Sequence, residues 1–399
     1  MTEKIVVKNL TKIFGPQPGK AIKMLGEGFS KDEIMKKTRQ SVGIADVSFK
    51  VNEGEILVVM GLSGSGKSTL VRCINRLIEP SAGRVYLEDI DVTSLSKEAL
   101  RELRQRRFGM VFQHFALFPH RTVIRNVEYG LEIQKVDPAT RRDRSMKALE
   151  QVGLKGWEHS FPAQLSGGMQ QRVGLARALA LDPDIMLMDE AFSALDPLIR
   201  RDMQDELLKL QEKMHKTIIF ISHDLDEALK LGDRIILMKD GVIVQEGTAE
   251  EILTNPANSY VKKFVEDVDI SKVLTAESVM KNPLEVASYA NDGPRAALWK
   301  MNRAGISSIF VQHKGKLVGI VTADEATQAL KRGEKDLSLI LNPDIYKANP
   351  DTPAADLFPL LVNSSPLAVV DKEDRLVGVI VRGSLLAALS EGVATNGTH

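Results

Sequence analysis

The chain has 399 residues, room for two or three domains at roughly 150 residues each. Apolar residues make up 43% and charged residues 27%, which excludes collagen-like, disordered and disulfide-scaffold classes. Lys+Arg and Asp+Glu both number 53, so net charge gives no reason to expect nucleic acid or an anionic membrane as partner. The single cysteine, Cys73, allows no intrachain disulfide and reads as a buried thiol. The start, MTEKIVVKNL, has no apolar signal region, and no apolar run approaches the ~20 residues of a membrane helix. The expectation is a soluble chain that reaches a membrane only through a partner.

In chain order, residues 5–10 alternate apolar and polar as a strand does, closed by Phe14 and Gly15. Residues 16–43 are rich in Gly and Lys, and Ser30-Lys31-Asp32-Glu33 has the form of a capping box. A strand resumes over 45–49. Residues 56–60 are continuously apolar, as a fully buried strand would be, and a glycine-rich turn leads to a helix over 67–77. Short apolar strands at 185–188, 217–221 and 235–238 alternate with helices at 172–181 and 200–214. This alternation predicts an α/β fold with a mainly parallel sheet. The basic run 101–107, interrupted by Glu102, reads as a solvated helix face.

The tail repeats itself. Lys316-Leu317-Val318-Gly319-Ile320-Val321 recurs as Arg375-Leu376-Val377-Gly378-Val379-Ile380, each copy after an apolar strand (309–311 and 368–370) and before a helix (326–330 and 384–389). Residues 393–399 are expected to be a disordered tail.

Gly61-Leu62-Ser63-Gly64-Ser65-Gly66-Lys67-Ser68-Thr69 fits G-x-x-x-x-G-K-[ST] between a buried strand and a helix. Glycines let successive N–H groups turn toward phosphate oxygens, and the helix N-terminus adds positive potential. Lys67 is placed to reach the β and γ phosphates, and the Ser68 hydroxyl to ligate Mg²⁺. Asp189 ends an apolar strand, placed to hold Mg²⁺ through water, and Glu190 follows as the base that orients the attacking water. Ser166, Gly167 and Gly168 open a further helix and form a second anion site. One chain would then carry two phosphate-binding surfaces, which can share one nucleotide if two chains face head to tail.

These motifs resemble those of the ATP-binding subunits of ABC transporters, over residues 4 to about 264. Ser166-Gly167-Gly168-Met169-Gln170 resembles the family's signature motif, and Gln113 stands at its Q-loop glutamine. Ser193-Ala194-Leu195-Asp196 resembles the D-loop, His223 the switch histidine, and Phe14 the aromatic that stacks on adenine. The resemblance implies ATP and Mg²⁺ as ligands. It implies a catalytic set of Glu190, His223 and Gln113, and metal contacts from Ser68, Gln113 and Asp189. Contacts to ATP would come from Phe14, the 61–69 loop, Ser166, Gly167, Gly168, Gln170 and Asp196.

The segment Phe115-Ala116-Leu117-Phe118-Pro119-His120 lies where the family docks a permease helix. The repeated tail resembles tandem CBS domains. The insertion at 16–43, the wording of 188–200 and the tail together resemble the ATPase subunit of glycine betaine/proline betaine importers. The implied organisation is an ABC nucleotide-binding domain with a helical subdomain at 1–268, then CBS repeats at 269–331 and 332–392. In the first repeat Glu325 stands where nucleotide-binding CBS repeats carry Asp, three residues after Thr322, which argues against adenine nucleotide there. Val381 and Ser384 hold the corresponding positions of the second repeat.

The expected partners are a second copy of the chain, a membrane permease, and through it an extracytoplasmic substrate-binding protein, with no nucleic acid. A small regulatory ligand at the tail, or ionic strength, would modulate the pair. The expected place is the cytoplasmic face of a bacterial membrane, held peripherally. Alternatives are an importer ATPase for choline, carnitine or an amino acid, or a soluble ABC ATPase without a transport role.

Overall fold

The structure is a computed structural model describing residues 2–113, 116–266, 271, 273–363, 366–386 and 388. It divides into two units, Met1–Val265 and Glu266–His399.

The first unit begins with β1 (Glu3–Phe14), α1 (Pro18–Gly26), α2 (Lys31–Thr38), β2 (Ser41–Asn52), β3 (Ile56–Met60), α3 (Lys67–Ile74), β4 (Ala82–Leu87) and β5 (Ile90–Asp91). Next come α4 (Lys97–Arg107), β6 (Phe108–Phe112), α5 (Val123–Ile133), α6 (Pro138–Gln151), α7 (Gly167–Leu179) and β7 (Ile185–Asp189). It ends with α8 (Pro197–Met214), β8 (Thr217–Ser222), α9 (Leu225–Leu231), β9 (Arg234–Lys239), β10 (Val242–Gly247), α10 (Ala249–Thr254) and α11 (Ser259–Val265).

The larger sheet has the order β10-β9-β3-β8-β7-β6, parallel throughout except for β10 at the edge. β3 lies inside it, flanked by β9 and β8, so all five of its residues are buried, as the apolar run predicted. A second, antiparallel sheet, β2-β1-β4-β5, was not predicted. Its β1 runs on to Phe14, past the expected end at residue 10. The register shifts between Val7 and Leu10, and Asn9 turns to φ +49°. That irregularity breaks the alternation that sequence patterning needs.

Both sheets pack on α3. Leu70, Val71 and Ile74 of α3 share one buried cluster with Leu57 and Val59 of β3 and with Ile5, Leu10 and Val51 of the antiparallel sheet. Each such side chain contributes about 1.5–3 kcal/mol relative to exposure. α3 ends at Ile74, three residues before its expected end. Asn75 accepts the Leu77 N–H on its side chain and the Arg104 Nε–H on its carbonyl. Arg104 is thus half-buried, as is Arg107, which pairs with Glu88 and Asp184, while Arg101, Glu102 and Arg106 are exposed as a solvated face requires. Cys73 is buried, and burial pushes its thiol up to about 12.

The insertion folds as α1 and α2. The capping box at Ser30 forms, with Glu33 Oε2 accepting the Ser30 N–H at 2.9 Å. Ala21, Met24 and Ile34 build a small core of their own against Ile13 and Val42.

The second unit holds α12 (Ala276–Val279), β11 (Val286–Ser288), α13 (Pro294–Ala304), β12 (Ser308–His313), β13 (Lys316–Thr322) and α14 (Ala323–Lys331). β14 (Lys347–Ala348), α15 (Ala354–Asn363), β15 (Leu367–Val370) and β16 (Leu376–Ile380) follow. The duplication is structural: β11-β12-β13 and β14-β15-β16 each have one parallel and one antiparallel pairing. The repeated glycines have one reason. A Cβ on Gly319 would meet the Asn342 carbonyl at 2.5 Å, and a Cβ on Gly378 would meet Met280 Sδ at 2.2 Å. The lead-in of each repeat thus crosses the last strand of the other, through Ile320–Asn342 and Lys281–Val379 bridges. Phe310 and Leu317 pack on Ala368 and Val370 between the two sheets. Glu325 closes a capping box on Thr322, and Ser384 Oγ accepts the Val381 N–H. Residues 267–270, Phe115, Leu389 and 393–399 lie outside the described residues. Among those described, no helix is long and apolar enough to cross a membrane.

Candidate active site

The 61–66 loop leaves the C-terminal end of β3 and enters α3 at Lys67. Gly66 has φ +103°, and a Cβ there would lie 2.5 Å from the Gly43 carbonyl, so only glycine fits. No side chain caps α3, which leaves its first N–H groups facing the loop as an anion cradle. Lys67 is 5% exposed, and its ammonium donates to the carbonyls of Gly61 (2.7 Å) and Leu62 (3.2 Å). Burial holds Lys67 below the usual lysine range, opposed by the Glu190 and Asp189 charges. Leu62 is exposed, while Ser65 is buried with its carbonyl accepting the Gly241 N–H at 2.9 Å.

β3 and β7 both pair with β8, so their C-terminal ends open on the same edge of the sheet. Ser68 Oγ donates to Asp189 Oδ1 at 2.9 Å, and Arg72 Nη2 donates to Asp189 Oδ2 at 3.1 Å. Arg72 was not singled out in the sequence, although its i, i+4 spacing from Ser68 places it on the same helix face. No cluster of three or more His, Cys, Asp or Glu residues that could hold a metal occurs among the described residues. The Ser68 hydroxyl and Asp189 carboxylate nevertheless form a pair of hard oxygen donors suited to Mg²⁺, completed by phosphate and water oxygens.

Glu190 follows at φ +47°, a strained conformation for a residue with a side chain. Its Oε2 lies 3.2 Å from Gln113 Nε2, which donates to it, and 3.4 Å from His223 Nδ1. Gln113 also donates to Ser193 Oγ at 3.1 Å, and Ser193 Oγ donates to the Glu190 carbonyl at 3.0 Å. The structure therefore brings Gln113, Glu190 and His223 together, as their spacing in the sequence could not reveal. Gln113 touches Glu190 rather than Asp189.

Phe14 is 42% exposed, and Gly43 lies between its ring and Thr69: a Cβ there would meet Phe14 Cε2 at 2.8 Å and Thr69 Cγ2 at 3.1 Å. The aromatic thus stands beside the helix that follows the phosphate loop.

Ser166, Gly167, Gly168 and Gln170 are placed elsewhere. Ser166 N-caps α7, accepting the Met169 N–H at 3.3 Å, and Gln170 donates to the carbonyls of Pro162 and Leu165. A Cβ on Gly168 would lie 2.5 Å from Ile199 Cγ2, so α7 and α8 start in close contact. Asp196 N-caps α8, accepting the Ile199 N–H at 3.1 Å. Among the described residues no hydrogen bond joins this group to the phosphate loop.

The ABC transporter family profile matches residues 44–193, and the CBS domain profile matches 276–332 and 335–391. The chain is 55% identical to the glycine betaine transport ATP-binding protein of Bacillus subtilis, over 99% of this chain and 95% of that protein. It is 48% identical to the glycine betaine/proline betaine transport system ATP-binding protein of Escherichia coli, over 100% of both. A dimeric structure of a bacterial ABC transporter cassette superimposes with a TM-score of 0.52 at 34% identity, covering 61% of this chain and 98% of that one. A dimeric post-hydrolysis cassette bound to ADP and Pi does so at 0.52 and 33%. The chain belongs to the ATP-hydrolysing, ATP-binding subunits of ABC transporters, in the branch that carries tandem CBS domains.

Proposed function

We propose that this chain energises import of glycine betaine/proline betaine-type osmoprotectants through a membrane permease. Relatives 48–55% identical over nearly the whole chain, tail included, carry glycine betaine in their names, which supports that solute class. The convergence of Gln113 and His223 on the Glu190 carboxylate is the observation that carries the chemistry.

Two copies pair head to tail. The phosphate loop of one holds ATP with Lys67 and the free N–H groups of α3, Phe14 stacks on adenine, and Asp196, Ser166, Gly167, Gly168 and Gln170 of the second copy close over the phosphates. The dimeric state of the similar cassettes supports this reading. Ser68 and Asp189 would hold Mg²⁺, and Gln113 would reach it from its place beside Glu190. Bound there, Mg²⁺ supplies charge neutralisation to the phosphate oxygens. Glu190 takes a proton from the attacking water, Gln113 fixes the carboxylate, and His223 stands at its other side to meet the γ-phosphate.

The domains are 1–268 for the ATPase and 269–331 and 332–392 for the CBS repeats. Beside Phe118 lies a groove of about 690 Å³ lined by Arg101, Arg104, Phe112, Tyr129 and Arg177 among others. It receives the permease, which connects the pair to an extracytoplasmic binding protein and holds the chain at the cytoplasmic face of the membrane. ATPase activity of the reconstituted transporter, measured with a panel of quaternary amines, sugars and amino acids, tests the assignment. Stimulation by betaines is the expected result. Stimulation by another class alone overturns the solute.

A further inference from the structure

Four and eight residues after the capping Asp196, α8 carries two side chains, Arg200 and Gln204, that the chemistry above does not use. Arg200 Nη1 donates to Asp224 Oδ2 at 3.1 Å, while its Nη2 donates to the carbonyls of Ser193 (3.3 Å) and Leu195 (3.2 Å). One guanidinium thus joins the loop before α8 to the residue after His223. One helical turn on, Gln204 Nε2 donates to Glu227 Oε1 at 3.1 Å, and Glu227 Oε2 accepts the Ser222 hydroxyl at 2.6 Å. Ser222 precedes His223, so α8 grips the histidine's backbone neighbours on both sides. Asp224 is fixed further by accepting the Glu227 N–H and donating its own N–H to Ser222 Oγ.

The contacts close a ring. Ser193 receives Gln113 on its hydroxyl and Arg200 on its carbonyl; Arg200 holds Asp224; His223, next in the chain, lies 3.4 Å from Glu190; Glu190 receives Gln113 again. A rigid fork suits such a node, because one planar group serves a carboxylate and two carbonyls in fixed relative positions. The exposed Asp196 at the start of α8 belongs to the same loop, and Gly168 packs on Ile199 beside Arg200. Anything that moves that loop or the start of α7 moves the guanidinium, and through it the backbone on which His223 stands.

We propose that Arg200 is a positioning residue for ATP hydrolysis, setting His223 from the place of the Ser193–Asp196 loop, so that seating this loop against a second copy aligns the switch histidine with Glu190. This rests on the roles assigned to Glu190 and His223 above.

The test uses the full-length chain in the reconstituted transporter, with Arg200→Ala, Arg200→Lys, Asp224→Asn and the Arg200→Ala/Asp224→Asn double variant. Turnover, KM for ATP and melting temperature are read for each, and Glu190→Gln and His223→Ala are run alongside. Arg200→Ala is expected to lower kcat by about tenfold or more while KM for ATP stays within about twofold, the signature of a lost contribution to the chemical step. The double variant should be no slower than the slower single, since both remove one contact. Arg200→Lys should recover part of the rate by restoring the charge to Asp224. If Arg200→Ala does not fold, Asp224→Asn, which keeps shape and loses charge, carries the same expectation. A kcat within about twofold of the unmodified chain, single-variant losses that multiply in the double, or a loss matched by raised KM and lowered melting temperature would overturn the proposal. Unimpaired Glu190→Gln would instead remove the site reading beneath it.

Discussion

The Ser68 hydroxyl donates to the Asp189 carboxylate across 2.9 Å, although 121 residues separate them. The shared neighbour β8 brings the ends of β3 and β7 side by side, so two halves of one site meet without a connecting loop. Asp189→Asn keeps the acceptor for Ser68 but removes the charge that also holds Arg72. The Mg²⁺ concentration for half-maximal ATPase should rise by about 10- to 100-fold, the scale of losing a partner that reaches a metal through water. A titration of activity against Mg²⁺ checks this, and an unshifted midpoint would take Asp189 out of the metal site.

Pairing of two chains is tested by complementation. Lys67→Ala in one chain and Ser166→Arg in the other place both lesions in one composite site and leave the other whole. Mixed pairs should hydrolyse ATP faster than either parent alone. Full-rate hydrolysis independent of protein concentration would contradict a shared site.

Burial raises Glu227 above the usual carboxylate range, opposed by hydrogen bonds from Ser222 and Gln204. The stability this protonation contributes is therefore full below the unfolded value of about 4.3 and is lost as pH rises through the folded value. Glu227→Gln keeps an acceptor for Ser222 without the charge. Its melting temperature should gain on the unmodified chain as pH rises above the ordinary carboxylate range, on the order of a few degrees. A difference constant with pH would show that Glu227 stays ionised at no cost.

Much of this site was legible in the sequence because its motifs are contiguous. Gly66, Lys67 and Ser68 sit between a buried strand and a helix, and their roles follow from that context. The grouping of Gln113 with Glu190 and His223 was legible only by resemblance, since they follow β6, β7 and β8, whose adjacency in the sheet decides it and is not written locally. Arg200 and Asp224 gave no signal: an arginine and an aspartate 24 residues apart are indistinguishable from surface charge until α8 and the end of β8 are placed. The antiparallel sheet was missed because the pairing of β1 with β2 and β4 is not written locally, although β1 and β2 both read as strands; the irregularity at Asn9 hid only the run of β1 to Phe14.

The tail carries none of the phosphate-contacting motifs, so its removal should leave ATP binding intact. Coupling between such a module and an ATPase pair is typically 1–3 kcal/mol, or about 5- to 150-fold in the affected equilibrium. Truncation after Asp269 should flatten the dependence of transport-coupled ATPase on ionic strength in the reconstituted complex. An unchanged salt curve would place the sensor elsewhere in the transporter.

The most direct test of the account is Glu190→Gln in the reconstituted transporter, with ATP turnover and nucleotide binding measured on the same preparation. Glutamine keeps the shape that Gln113 and His223 face and removes the basic carboxylate. Turnover should fall at least ~10²-fold, the scale of a positioned general base, with ATP still bound and the ATP-loaded pair accumulating. Turnover near that of the unmodified chain would contradict the assignment of Glu190 as the residue on which the site is built.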